Sequence, residues 1–196
     1  MPNMTAQPWR KTKDTNKNWK AADQETADRM CEVMNRQEEG GLFIDDIKNF
    51  PCQDLLNIDH LWVEYSNNRF GFSAQKEIYL ECGGELVPFS NSKSLVRNIE
   101  KFGDRVGWRA KGIWQYHADI TSNPFIPKAY FPFKWIHSCN FMPEEFLEEL
   151  SSLFPARLYG RLASTMLFRL QPGKAVICFV SLFSRAEECE MYLHET

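Results

Sequence analysis

No run in this 196-residue chain is apolar for long enough to cross a bilayer: the longest, Ala175 to Phe183, falls far short of the about 20 residues a spanning helix needs. Contact with a membrane is therefore expected to be peripheral at most. Positive charge is not in excess either, since the formal net charge is −3 and the Lys and Arg side chains form no strip. That composition excludes the general basic field that holds a phosphate backbone, so no nucleic-acid partner is expected. The four histidines, His60, His117, His137 and His194, make no HExxH or paired-ligand spacing, and a zinc centre is not expected. The six cysteines, Cys31, Cys52, Cys82, Cys139, Cys178 and Cys189, are scattered, contain no CxxC pair and follow no signal peptide. Reduced, mostly buried thiols are the expectation from that pattern.

Aromatic side chains, by contrast, are plentiful: fifteen Phe, six Trp and six Tyr. Such flat apolar surface suits a core, an interface or a planar ligand. The chain is long enough for one fair-sized domain, or for a domain of about 130 residues with an appendage. Residues 1–18 are polar and locally basic through Arg10, Lys11, Lys13 and Lys17 and read as a mobile tail. A basic, acid-poor start is shared with organelle transit peptides, but this one is short and poor in Ser and Arg.

Residues 19–137 are expected to form the main domain and 138–196 a C-terminal extension packed on or near it. From Trp19 to Asn35, Ala22, Ala27, Met30 and Met34 recur at helical intervals among charged residues. Phe43 to Ile47 offers a short helix before Phe50-Pro51. A longer one begins near Asp54, with Leu55, Ile58, Leu61, Trp62 and Tyr65 on one stripe. Ser66-Asn67-Asn68 is a turn. Ser73 is expected to cap a helix that reaches Cys82 and stops at Gly83-Gly84. Another helix fits Ser92 to Phe102. No long alternation is present in this part, so the fold class is all-α.

Between Gly103 and Pro132 three glycines and three prolines punctuate Trp108, Trp114 and Tyr116, which forbids one long helix. A long aromatic loop in a compact domain is usually functional when it is ordered. Beyond it, Pro143 to Leu150 and Ala156 to Leu170 are candidate helices, and Ala175 to Cys189 is a buried helix or strand.

Several blocks, in order, resemble the Genomes Uncoupled Four family. They are Ala21-Ala22-Asp23-Gln24-Glu25-Thr26 with Met30; Phe50-Pro51-Cys52-Gln53-Asp54-Leu55; Ile58-Asp59-His60-Leu61-Trp62; Arg69-Phe70-Gly71-Phe72-Ser73-Ala74-Gln75; and Phe102-Gly103-Asp104-Arg105-Val106-Gly107-Trp108-Arg109. The resemblance spans Trp19 to Pro132, about three-fifths of the chain. It implies a compact helical domain with a cupped apolar face and a long aromatic loop. It also implies noncovalent binding of protoporphyrin IX or Mg-protoporphyrin IX. The implied role is regulation of magnesium chelatase, through its large porphyrin-binding subunit, in chlorophyll biosynthesis. A cytoplasmic place in a cyanobacterium, or one in the plastid stroma, with contact to thylakoids peripheral at most, comes with that reading.

Carried over onto this sequence, the site comprises Phe70, Phe72, Ala74 and Trp108 as apolar wall, Phe125 on the loop, and Arg109 and Lys128 as cations for the ligand's propionates. A rigid apolar disc with carboxylates at one edge needs that combination of walls and rim cations. Arg69 and Arg105 read instead as structural partners of Glu64 or Asp104, and His117 as polar surface. Ala74 stands where a larger aliphatic is usual in the family, and Phe125 to Pro132 replaces a more polar loop. A scaffold or sensory domain of the same fold without physiological porphyrin is the alternative. An enzyme is disfavoured, because no nucleophile–base pair or cofactor motif is visible.

Overall fold

The structure is a computed structural model and describes residues 18–86, 93–115, 126–137, 139 and 172–194. The expected tail, the helices expected at 143–150 and 156–170, His117 and Phe125 lie outside the described residues. Helix α1 is Trp19–Val33, α2 Ile44–Lys48, α3 Cys52–Ser66, α4 Phe72–Glu81 and α5 Lys93–Val106. A two-residue hairpin follows, β1 Arg109–Ala110 and β2 Ile113–Trp114, then α6 Lys134–His137 and α7 Pro172–His194. The described fold is helical, as the sequence indicates, apart from this hairpin, which pairs Arg109 with Trp114 and Ala110 with Ile113.

Local chemistry sets the element ends. The Asn18 side chain accepts from the Ala21 amide at 3.1 Å and opens α1, satisfying a donor the helix cannot. Asn67 and Asn68 take left-handed backbone angles, φ 54° and 60°, and close α3. Ser66 Oγ then accepts from the amides of Arg69 and Phe70 at 3.1 and 2.8 Å, which folds the turn into α4.

The expected cap at Ser73 is corrected. Helix α4 begins at Phe72 with Gly71 as its cap, two residues ahead of the expected one, and it is the carboxylate of Asp59 on α3 that accepts from the Ser73 amide at 3.0 Å. The long helix α5 likewise runs through Gly103 to Val106 rather than stopping at Phe102. A Cβ at Gly103 would lie 2.6 Å from the Trp114 ring, so the glycine there admits an aromatic and breaks nothing.

Of the stripe read on α3, Leu55, Ile58 and Trp62 are buried, whereas Leu61 and Tyr65 are only partly so. On α1 the inward residues are Ala22, Ala27 and Met30, with Thr26 donating to the Ala22 carbonyl and accepting from the Trp62 indole at 3.0 Å. Asp23 is fully buried, and one of its oxygens accepts from the amides of Phe133 and Lys134 at 2.8 and 3.0 Å. That carboxylate joins the first helix to the start of α6.

Helix α7 packs across α2, α3, α4, α5 and α6. Its inward face presents Cys178, Phe179, Leu182, Phe183, Ala186 and Cys189, the spacing of a single helical stripe. The expectation of free thiols is also corrected: Cys52, the first residue of α3, and Cys189, in the last turns of α7, are disulfide-bonded across 137 residues of sequence. Pairing of this kind depends on which helices meet and leaves no spacing signature. Cys31, Cys139 and Cys178 are free and buried, and Cys82 is free and half-buried.

Candidate functional site

Residues 126–133 cross the molecule as a strap, held at both edges by backbone. The Ala129 amide donates to the Arg69 carbonyl at 2.7 Å, and the Gly71 amide donates to the Phe131 carbonyl at 2.9 Å. The Gln75 side-chain amide donates to the Pro132 carbonyl at 2.8 Å, and the Trp108 indole to the Tyr130 carbonyl at 2.7 Å. The Arg69 guanidinium adds a bond to the Ile126 carbonyl and lies over the Phe70 ring. The segment therefore ties the start of α4 to the turn after α5.

Those two places hold the residues that the resemblance assigns to a site. Phe70 meets Phe131 edge-on at 5.3 Å and Trp62 at 6.2 Å. Phe72 meets Trp135 edge-on at 6.1 Å. Trp108 stacks on Phe133 and on Phe179, each with centroids 4.9 Å away and planes 25° apart, and meets Phe102 edge-on at 5.1 Å. Phe70, Phe72 and Trp108 are all fully buried, and Ala74 is buried beside them on α4. In this conformation Phe70, Phe72 and Trp108 face other rings.

Gly107 makes the turn before Trp108 possible. Its φ of +81° is a region that side chains rarely adopt, and a Cβ there would meet Pro127 Cγ at 2.9 Å. The close approach allowed by this glycine is thus occupied by the strap itself.

Both cations are partnered. Arg109 donates to Asp104 at 2.8 Å and to Glu100 at 3.4 Å, and Lys128 donates to Glu77 at 2.6 Å. Hydrogen bonding from Lys128 pulls the Glu77 carboxyl below its ordinary value. The Lys128–Glu77 pair is half-exposed at both ends and screened by water, so the lysine is readily transferred to another carboxylate. Arg105 pairs with Glu81 rather than with Asp104.

Two groups near α7 have shifted acidity. Lys76 sits between Glu187 and Glu190, 2.7 Å from each. Burial works against its charge, but the two carboxylates outweigh it and raise the ammonium's pKa. Burial also raises Asp59, against the hydrogen bonds it receives from Ser73. Among the described residues there is no cluster of His, Cys, Asp and Glu suited to a metal ion, and no helix is long and apolar enough to cross a membrane.

Sequence reasoning did not single out Phe179, Phe133 or Asp23. Phe133 lies one residue beyond the aromatic loop that ends at Pro132, and Phe179 lies in the apolar run from Ala175, whose helical stripe was the available signal. Asp23 gave none, because a buried acid on an otherwise polar helix looks like surface.

The fold and the motif blocks have known counterparts. The ligand-free structure of Arabidopsis thaliana GUN4 superposes with a TM-score of 0.50 at 18% identity, covering 84% of this chain and 89% of that one. A Ycf53-like protein of Synechocystis is 26% identical over 58% of this chain and 45% of its own length. The chloroplastic tetrapyrrole-binding protein of Arabidopsis thaliana is 32% identical over 38% of this chain and 29% of its own length. The chain thus matches less than half the length of these curated relatives. A family model described as GUN4-like matches residues 11–146, which is well over half the chain, and the chain belongs to that family.

Proposed function

We propose that this chain binds a tetrapyrrole noncovalently and acts as a regulator of magnesium chelatase, not as a catalyst. Family membership over residues 11–146 is the observation that carries the reading. It is supported by the Arabidopsis relative named as a tetrapyrrole-binding protein. The aromatic surroundings of Trp108 supply the flat apolar contacts that a porphyrin face requires. The proposed wall is Phe70, Phe72, Ala74 and Trp108 with Phe125. The proposed rim is Arg109 and Lys128, which exchange Asp104, Glu100 and Glu77 for the propionates of protoporphyrin IX or Mg-protoporphyrin IX. Exchange of one carboxylate for another conserves the charge pairing, so ligand entry costs little electrostatically.

The proposed protein partner is the large porphyrin-binding subunit of the chelatase. The proposed setting is the cytoplasm of a cyanobacterium or the plastid stroma, in peripheral contact with membranes at most.

Titration of the purified protein with protoporphyrin IX and with Mg-protoporphyrin IX tests the binding. Saturable quenching of tryptophan emission is expected, whereas quenching that stays linear in ligand rejects the site. The regulatory role is tested by adding the protein to a reconstituted chelatase. A faster appearance of Mg-protoporphyrin is expected, and an unchanged rate rejects activation.

A further inference from the structure

Helix α7 covers the Trp108 indole from one side, and Phe133 of the strap covers it from the other. Phe179 from α7 stacks on the indole at 4.9 Å, and Phe183, one turn on, packs on Phe102 and Tyr79. A flat ligand that uses the indole as a wall must displace Phe133 from one side or Phe179 from the other, and Phe133 is tied to the buried Asp23 carboxylate through its amide, which leaves the α7 side as the one that can open.

The contacts that hold α7 down are of two kinds. Its inward stripe is apolar, and its C-terminal half is fastened by side chains to the other helices. The Arg185 guanidinium donates to the Phe50 carbonyl at 3.0 Å, Lys76 on α4 reaches Glu187 and Glu190, and Cys189 is bonded to Cys52 at a Cα–Cα distance of 5.1 Å. Apolar contacts and ion pairs can be exchanged for ligand contacts within one binding event. A covalent bond cannot. The disulfide lies ten residues beyond Phe179, about 15 Å along the helix axis, so it anchors the far end of the segment that covers the indole.

We propose that α7 is a redox-latched cover of the Trp108 site, which the Cys52–Cys189 disulfide keeps closed and a dithiol reductant releases. The proposal rests on the tetrapyrrole reading for the identity of the ligand, but the latch is measurable without one.

The chemistry is ordinary thiol–disulfide exchange. Cys189 is fully buried and Cys52 only partly so, which directs attack to the Cys52 sulfur. A thiolate of the dithiol bonds to Cys52 Sγ and expels Cys189 as a thiolate, which takes up a proton. The second thiol of the reductant then attacks its own sulfur in the mixed disulfide and expels Cys52, which is protonated in turn. Two electrons and two protons reach the protein, and the reductant leaves as its cyclic disulfide. The reduced chain keeps its apolar stripe, so α7 does not dissociate but opens transiently, and a ligand competes with Phe179 for the open state.

The full chain is compared as isolated in the oxidised form, after dithiothreitol treatment, and as the Cys52→Ser variant. Hydrogen exchange of the free protein is read first. Amides of residues 178–191 are expected to exchange at least tenfold faster in the reduced and Cys52→Ser proteins, with Leu55 to Trp62 unchanged. Unchanged exchange in α7 overturns the latch. Loss of protection in α3 as well also overturns it, because the disulfide is then a staple of the whole core.

Titration with Mg-protoporphyrin IX is read second. The reduced and Cys52→Ser proteins are expected to bind at least tenfold more tightly than the oxidised one, and Cys52→Ser is expected to be indifferent to dithiothreitol. Equal saturable binding by oxidised and reduced protein overturns the masking of the site. Release of α7 on reduction with no saturable binding by any form upholds the latch and removes the tetrapyrrole reading instead.

Discussion

The indole of Trp108 donates to the Tyr130 carbonyl at 2.7 Å, so one buried hydrogen bond fixes the turn after α5 against the strap. Trp108→Phe keeps a ring in the stack but removes that hydrogen bond, with an expected loss of about 0.5–1.5 kcal/mol in urea denaturation. Trp108→Ala also empties the stack between α5, the strap and α7, with an expected loss of about 3–5 kcal/mol. A loss below about 0.5 kcal/mol for both variants is incompatible with the packing described here.

Lys128→Ala removes a pair at the surface, so its stability is expected to stay within about 1 kcal/mol of the parent. If Lys128 meets a propionate, the variant binds Mg-protoporphyrin more weakly at low salt, and the difference shrinks as salt rises. A salt-independent difference argues for a packing effect instead.

Counting thiols tests the correction made above. Alkylation of the native, oxidised protein at pH 8 is expected to modify Cys82 first, since it is the half-buried free thiol. Burial raises the Cys31 thiol to about 11, and burial also holds Cys139 well above the ordinary range, so both stay protonated and unreactive. Mass spectrometry is expected to show four adducts after denaturation alone and six after reduction. Six adducts without reduction exclude the disulfide.

Lys76 gives a pH signature of the contact between α4 and α7. Its folded-state pKa lies above the ordinary 10.5, so its pairing with Glu187 and Glu190 contributes fully below that value and fades as pH rises through the folded one. The stability gap between the parent and Lys76→Met is therefore expected to be constant from pH 7 to 9 and to narrow above pH 10.5. A gap independent of pH across that range refutes the charge contribution.

Gly71 is expected to resist any side chain. Its φ is +125°, and a Cβ would lie 2.6 Å from the Asp59 oxygen that receives the Ser73 amide. Gly71→Ala combines backbone strain of about 1–3 kcal/mol with a disturbed helix start, and a melting temperature equal to the parent's contradicts the geometry.

Much of this was legible in the residues. Leu55, Ile58 and Trp62 announced the inward face of α3, and Asn67-Asn68 announced its end, because both signals are local. The start of α4 was misread at Ser73, since the group that serves it, Asp59, comes from another helix. Gly103 looked like a breaker but sits inside α5, where the need for it comes from Trp114 across the hairpin. The stacking of Phe179 on Trp108 and the bond between Cys52 and Cys189 depend on where α7 lands, which periodicity alone does not determine. The motif blocks carried the family, and only the packing showed that the candidate wall faces other rings.

Asp23 receives its amide hydrogens from residues 110 and 111 positions later. A helical protein ordinarily folds fast because its contacts are local, and this link is the opposite. During synthesis at about 5–20 residues per second, the buried carboxylate waits roughly 5–20 s for Phe133 to be made. Until then the two strap-side amides that this carboxylate receives in the native fold do not exist, so burial of the Asp23 face of α1 is expected to come late, with the arrival of the strap.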